Sequence, residues 1–500
     1  MEKKLAELKT RLLEAADLAS TGAILSWDQL THMPPGGAAT RGRQQAMLAR
    51  MAQEKLIDPA TGKLLDELRP YEESLPFESD DASLIRVARR EYERATKVPP
   101  AFVERMNEHQ SRSYMAWAEA RPANDFGKVR PFLEKTVELS REYANYFAPY
   151  EHIADPLIDQ ADYGMKASSL RVLFASLREK LVPIVQAITS QATAEDAFMK
   201  QVFPGESQMD FSRMVVRRLG YDYNRGRDDM AHHPFTTSFS QNDVRITTRV
   251  NEHDLGDCLF SMIHEAGHGM YEQGVNPAYE GTPLASGTSA GVHESQSRLW
   301  ENLVGRSRGF WEFFYADLQK AFPHLQNIDH EAFYRAINKV QRSLIRTESD
   351  EVTYNLHVML RLDFELQLLE GRLAVGDLPE AWRERFKADL GIVPPDDKDG
   401  VLQDIHWYGG VVGGAFQGYT LGNIMSAQFF AAALKAHPEI PEDMKQGRFD
   451  TLHQWLVDNI YTHGRKFTAP ELVKRVTGSE ITIEPYIKYL QTKYGELYKL

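Results

Sequence analysis

Along most of this chain apolar residues return every three or four positions, the spacing that gathers side chains on one face of an α-helix. The repeat predicts helices over Glu2 to Ala19, Arg41 to Glu54, Ala82 to Thr96, Phe132 to Tyr146 and Leu170 to Ala192, the last kinked at Pro183. From Glu331 to Gly371 no proline intervenes and glycine comes only at the end, which predicts one long helix or two that abut. The breaks are short, as in Met33-Pro-Pro-Gly-Gly37 and Val393-Pro-Pro-Asp-Asp397, and read as helix ends rather than domain borders. One stretch departs from the helical period. After Thr236 the pattern alternates, with Val244, Ile246, Thr248 and Val250 on one side and Asp243, Arg245, Thr247 and Arg249 on the other, following a turn-like Ser240-Gln-Asn242. That is a β-hairpin over Thr236 to Val250. The expected fold is mainly α, a large helical shell around a cleft with one small β element.

Composition narrows the function classes. The 58 Lys+Arg against 71 Asp+Glu leave a net charge of −13 over 500 residues, which argues against a nucleic-acid partner. A single cysteine, Cys258, cannot form an internal disulfide and fits a cytoplasmic setting. The charged, helix-periodic Met1 to Thr10 does not read as a signal peptide. Ile405 to Leu434 lacks Asp, Glu, Lys and Arg, yet its six glycines and its Gln and Asn residues mark buried interior rather than a membrane span. Length alone would suggest about three domains. The absence of linkers, repeats and low-complexity segments favours one.

Chemistry enters at His264-Glu-Ala-Gly-His268, inside a predicted helix from Asp254, placed as its cap, to Gly274. Residues four apart share a helical face, so both imidazoles can reach one ion, and Glu265, rotated by about 100°, can reach a water on it. Gly267 and Gly269 each cost about 1 kcal/mol in a helix interior relative to alanine, so a close approach by another backbone or by substrate is expected there. Zinc needs a third protein ligand, for which Glu272, Glu280, His293, Glu294 and Glu301 are candidates. Gly287 to Gly305 reads as a second helix able to present Glu294; His293, one residue earlier, points elsewhere, but the residues alone leave the choice open.

At these positions the chain resembles the M32 family of metallocarboxypeptidases, the carboxypeptidase Taq type, among the glutamate-ligand zincins. The resemblance rests on His233-Pro-Phe235, Asp243-Val-Arg-Ile-Thr247, the His264 pentapeptide with His293-Glu-Ser-Gln296, Ile345-Arg-Thr-Glu-Ser-Asp350, and Gly400-Val-Leu-Gln-Asp-Ile-His-Trp407. Trp27-Asp-Gln-Leu-Thr-His-Met-Pro34 looks like the family's first helix and turn, so the likeness spans the chain. One departure is Ser349, where the family usually has alanine; little is expected from it. The resemblance implies a deep groove in a single catalytic domain, with residues 1–100 as one wall or lid. It implies one zinc per chain on His264, His268 and Glu294, and a homodimer that removes single C-terminal residues with broad specificity; cobalt or another divalent ion can occupy such a two-His, one-carboxylate site.

Roles follow on that basis. Zinc lowers the pKa of a bound water toward about 7 and Glu265 takes its proton. His406 and Tyr419 steady the oxyanion, with Tyr408 as the alternative and Gln403 and Asp404 as orienting residues. Arginine's planar fork suits a free α-carboxylate, which points to Arg346, held by Asp350 four residues on, with Arg245 as runner-up. Asp243, Arg245 and Thr247 would form a polar strand face over the cleft to which an extended peptide adds, with His233 beside it. The rival readings are an endopeptidase or dipeptide-releasing enzyme of the same clan and, more remotely, a peptide-binding scaffold with a structural zinc.

Overall fold

The computed structural model describes residues 1–500 and is built almost wholly of helices. Four come first: α1 (Glu2–Thr31), α2 (Ala38–Leu56), α3 (Pro59–Ser74) and α4 (Asp80–Lys97). Their starts carry local signals: Asp58 accepts from the Ala60 amide ahead of α3, and Ser79 from the Ala82 amide ahead of α4. Helix α1 runs beyond the predicted Ala19 to Thr31, and the Pro35–Gly37 turn ends it as the break predicts. Leu5, Leu8 and Leu12 make a narrow stripe that packs with Leu65, Leu68, Leu84 and Ile85. This small core closes on Val275, Tyr279 and Leu284 from the body of the molecule and does not merge with the main core.

The main core runs continuously from Ala116 to Tyr498. At its centre stand two helices buried on nearly every side, Tyr354–Glu370 and Gln417–Ala436. The second takes up most of the uncharged Ile405 to Leu434 stretch, and no helix is long and apolar enough to cross a membrane. The helices read at Phe132 and Leu170 begin earlier, as Phe126–Asn145 and Ala167–Thr189, the latter passing through Pro183.

The hairpin is present as β2 (Thr236–Ser240) and β3 (Asp243–Thr248), with a third strand, β1 (Asp228–Met230), laid parallel on the far side of β3. The order β1-β3-β2 makes β3 central. The expectation that Asp243, Arg245 and Thr247 offer an edge to a peptide is therefore corrected: β3 has both edges paired, β1 and β2 are the outer strands, and of these it is β2 that borders the cleft. β1 is a polar three-residue strand, too short to show alternation.

A second correction concerns Glu331 to Gly371. Helix His330–Ile337 stops, residues 338–353 are irregular apart from a 3₁₀ turn at Arg346–Glu348, and only then does Tyr354–Glu370 begin. Side chains take the backbone away from the helix. Asp350 accepts from the amides of Gln341 (3.1 Å), Val352 (2.9 Å) and Thr353 (3.0 Å), and Gln403 accepts from the Arg346 amide at 2.9 Å. The helix expected from Gly287 to Gly305 begins only at Ala290, capped by Ser289, and gives way after Arg298 to a π turn, Leu299–Val304.

Candidate metal centre and active site

Helix Leu255–Gly274 is capped by Asp254, whose Oδ1 accepts from the Gly256 amide at 3.0 Å. Two of its four glycines, Gly267 and Gly269, flank His268 and admit close neighbours. A Cβ on Gly267 would lie 2.7 Å from Ser297 Cα, and one on Gly269 2.9 Å from the Tyr221 ring. The close approach expected from the sequence is thus a neighbouring backbone at Gly267 and a side chain at Gly269. Gly422, on helix Gln417–Ala436, presses from the other side, where a Cβ would meet Glu294 Cγ at 2.4 Å. The segment Glu294 to Ser297 is thus held between two glycine faces, Gly422 against Glu294 and Gly267 against Gln296 and Ser297.

The result is a convergence of three donors. Glu294 Oε2 lies 3.7 Å from His264 Nε2 and 3.6 Å from His268 Nε2, and all three donor atoms lie within 4.8 Å of one another. Ligands at about 2.1 Å around a tetrahedral ion stand about 3.4 Å apart, so the set fits a divalent metal such as zinc with little movement. The other side of each ligand is also held. His264 Nδ1 is 2.9 Å from Glu301 Oε2, and His268 Nδ1 is 2.9 Å from His293 Nδ1, whose Nε2 is 2.6 Å from Glu272 Oε1. Arg298 donates to Glu294 Oε1 at 2.7 Å and to Glu301 Oε2 at 3.1 Å. These contacts leave both imidazole Nε2 atoms free to ligate. His293, Glu272 and Glu301 support the donor trio rather than joining it. Glu280 stands exposed at the cleft's far end, and Cys258 is buried beside Ser212 and Met209.

Electrostatics separate the carboxylates. Burial opposes the charge of Glu301, yet Arg298 and His264 hold its pKa down to about 2. Burial also opposes Glu294, which Arg298 and the two histidines keep well below the usual carboxylate range. For Glu265 burial prevails and its pKa is raised, even with Thr236 Oγ1 donating to Oε2 at 2.7 Å. Burial lowers His268 to about 4, whereas for His264 the nearby Glu294 and Glu301 outweigh burial.

These residues open onto a cleft of about 710 Å³ bounded by β2, the metal helix, the 280–286 loop and Ala16, Asp17 and Ser20 of α1. His233 sits exposed at its mouth, and Tyr419 lines it beside Glu294. Burial lifts Tyr419 to about 12, so at neutral pH it carries a hydroxyl proton to donate. His406 Nε2 is 3.4 Å from the Tyr419 hydroxyl, and its Nδ1 is 3.5 Å from Asp404 Oδ1. Tyr408 is buried away from the cleft, stacked on Trp117.

Arg346 is buried, with its guanidinium 5.2 Å from the Tyr419 ring centre. Its holder is not Asp350, which is occupied by backbone amides and Thr353. Arg346 Nη2 donates to Asp404 Oδ1 at 2.8 Å and Nη1 to the Tyr354 hydroxyl at 2.9 Å. Asp404 also binds the fully buried Arg361. The i, i+4 pairing failed because Arg346 and Asp350 share no helix. Arg245 is turned elsewhere: it forms a two-pronged pair with Asp243 and lies 4.4 Å from the ring centre of Trp27 on α1. Thr247 is wholly buried; its hydroxyl donates to the Phe235 carbonyl at 3.1 Å and accepts from the Phe235 amide at 2.8 Å, fixing the loop that carries His233. Thr236, Arg298, Tyr354 and Arg361 also serve the site, though no motif in the sequence marks them. Arg298 alone left a signal, four residues after Glu294.

Two histidines one helical turn apart, an adjoining glutamate and a carboxylate from the next helix as the third donor are the constellation of a metallopeptidase. The chain belongs to the carboxypeptidase Taq (M32) metallopeptidase family, whose sequence profile matches residues 7–494. It is 40% identical over 495 residues to thermostable carboxypeptidase 1 of Thermus thermophilus and 35% identical over 480 residues to carboxypeptidase 1 of Bacillus subtilis, covering 97% and 95% of those proteins and 97% and 96% of this chain. Among solved structures, the M32 carboxypeptidase of Deinococcus radiodurans superposes with a TM-score of 0.97 at 48% identity, over 100% of both chains. The protein is a metallocarboxypeptidase.

Proposed function

We propose that the enzyme releases single C-terminal amino acids from peptides, with broad specificity, using one zinc on His264, His268 and Glu294. The observation that carries this reading is the placement of Glu265 beside the donor trio, with the buried Arg346 one aromatic ring further on. A zinc ion held there supplies a water acidic enough to ionise near neutral pH and a Lewis acid for the scissile carbonyl. Cobalt suits the same donors. Glu265, made more basic by burial and steadied by Thr236, takes a proton from the attacking water and returns it to the leaving amine nitrogen. The Tyr419 hydroxyl and His406 are the donors for the developing oxyanion. Arg346, its planar guanidinium oriented by Asp404 and Tyr354, receives the substrate's terminal carboxylate through the N–H groups these partners leave over.

The peptide adds to the free edge of β2, with His233 at its flank and the Asp243–Arg245 pair bracing the sheet against α1. Helices α1–α4 act as one wall or lid of a single catalytic domain. A cytoplasmic setting, which the lone Cys258 suits, and a homodimer, which the resemblance implies, belong to the same proposal.

The test is mass spectrometry of a peptide and its C-terminal amide after incubation with enzyme, with and without chelator. Stepwise loss of single residues from the free C-terminus, weak on the amide and abolished by chelation, is expected; internal cuts on both peptides would sink the reading. Glu265→Gln should retain metal and lose nearly all turnover.

A further inference from the structure

The charged residues that line the cleft, its histidines apart, are all of one sign. Asp17, Glu265, Glu272, Glu280 and Glu294 line it, and no lysine or arginine does. Glu265 and Glu294 belong to the metal centre. The other three gather at the end facing α1, away from Arg346. Asp17 and Glu280 are exposed and have no cationic partner; the one contact of Glu280 is the Gln241 amide at 3.4 Å.

The floor beneath them is short of donors. Glu272 is 5% exposed, and its Oε1 accepts from Ser286 Oγ (3.0 Å), the Gly287 amide (2.9 Å) and His293 (2.6 Å), whereas Oε2 has no partner. Gln241 is 2% exposed; its Nε2 donates to the Ala285 carbonyl at 3.3 Å and its Oε1 also has no partner. Ala285 and Ser286 are consecutive, so both unmatched oxygens belong to one patch. Buried acceptors left without donors are uncommon, and here two lie under two unpaired carboxylates. Field lines from such a low-dielectric wall concentrate in the cleft.

We propose that this end of the cleft is a subsite for an ammonium or guanidinium group of the substrate. The inference rests on the carboxypeptidase reading above, with the carboxylate at Arg346 and the chain running back along β2. Two imidazoles, His268 and His293, separate Glu272 from the metal position, a span on the order of 10 Å, or about three residues of extended peptide. The cation sits about that far before the scissile bond. Its source is either the α-amino group of a short peptide or a Lys or Arg side chain in a longer one, and the carboxylates of Asp17 and Glu280 receive it over the electronegative floor.

The test uses metal-loaded enzyme and initial rates on two series. One compares free and N-acetylated alanine-based peptides of increasing length; the other compares N-acetylated peptides with lysine or norleucine at each position before the scissile bond. A KM at least fivefold lower for the cationic member, at one length or one position and diminished in about 0.5 M salt, is expected. The advantage should shrink toward unity in Asp17→Asn/Glu280→Gln, two exposed substitutions whose folding is checked by thermal unfolding. A gain confined to the free amine assigns the subsite to the chain end, and one confined to lysine assigns it to a side chain. Equal KM values across both series would overturn the subsite while leaving carboxypeptidase activity intact. No cleavage of any peptide would overturn the carboxypeptidase reading and the subsite with it.

Discussion

Single side chains here do more than fill positions in a motif. Glu301 sits behind His264, aims its Nε2 and shares Arg298 with Glu294. Glu301→Gln keeps the shape and removes the charge; metal affinity, read by chelator competition, should fall by about tenfold or more. Glu365 shows the opposite situation. It is buried in the central helix with Trp407 Nε1 donating to Oε1 at 2.9 Å and Oε2 unpartnered, and burial raises its pKa from 4.5 to about 7. Between those values only the folded protein keeps the proton, so stability falls as pH rises from about 4.5 to about 7 and is flat above. The change is worth up to about 3 kcal/mol. Thermal unfolding of Glu365→Gln should gain on the parent by a few degrees from about pH 5 to about pH 8. A constant difference would mean that Glu365 titrates normally.

Between elements, glycine decides how close helices come. Gly422 stands in the interior of Gln417–Ala436, where helix propensity alone favours alanine by about 1 kcal/mol. Contact with Glu294 reverses the sign. Gly422→Ala should lower the melting temperature and the bound metal together; a higher melting temperature with full metal content would refute the packing argument. The same elements show what could be read in advance. His264 and His268 share a face because four residues make about one turn, so their pairing was legible in the linear chain. Arg346 and Asp404 meet across 58 positions, and nothing local marks them as partners. The gap in the Glu331 to Gly371 helix escaped for a related reason. Asp350 and Gln403 withdraw backbone groups that a pattern of apolar positions does not register. The π turn at Leu299–Val304 likewise keeps its residues buried and apolar enough to resemble an ordinary helix.

Across the whole molecule the uneven distribution of core matters most. Helices α1, α3 and α4 share a small cluster that meets the body chiefly through Val275, Tyr279 and Leu284, α2 adds no buried residue to it, and nearly all the rest of the chain packs on one continuous interior. Less buried apolar surface means a lower cost of local opening. Amide hydrogen exchange should show α1–α4 losing protection as a unit and earlier than Tyr354–Glu370 or Gln417–Ala436; uniform protection would contradict this. The overall helical class was open to the sequence because the period of the apolar positions persists over so much of the chain. The separation of the two cores was not, since the stripes of α1 and of the central helices look alike until their partners are known.

The free edge of β2 has a kinetic consequence. A substrate that pairs with it is gripped by its main chain, so most side chains pass equally well through the same register. Proline cannot donate from its nitrogen. When trimming brings a proline opposite a β2 carbonyl, the ladder loses a rung and the shortened peptide should dwell, so digests of proline-containing chains would accumulate products that stop a fixed number of residues beyond it.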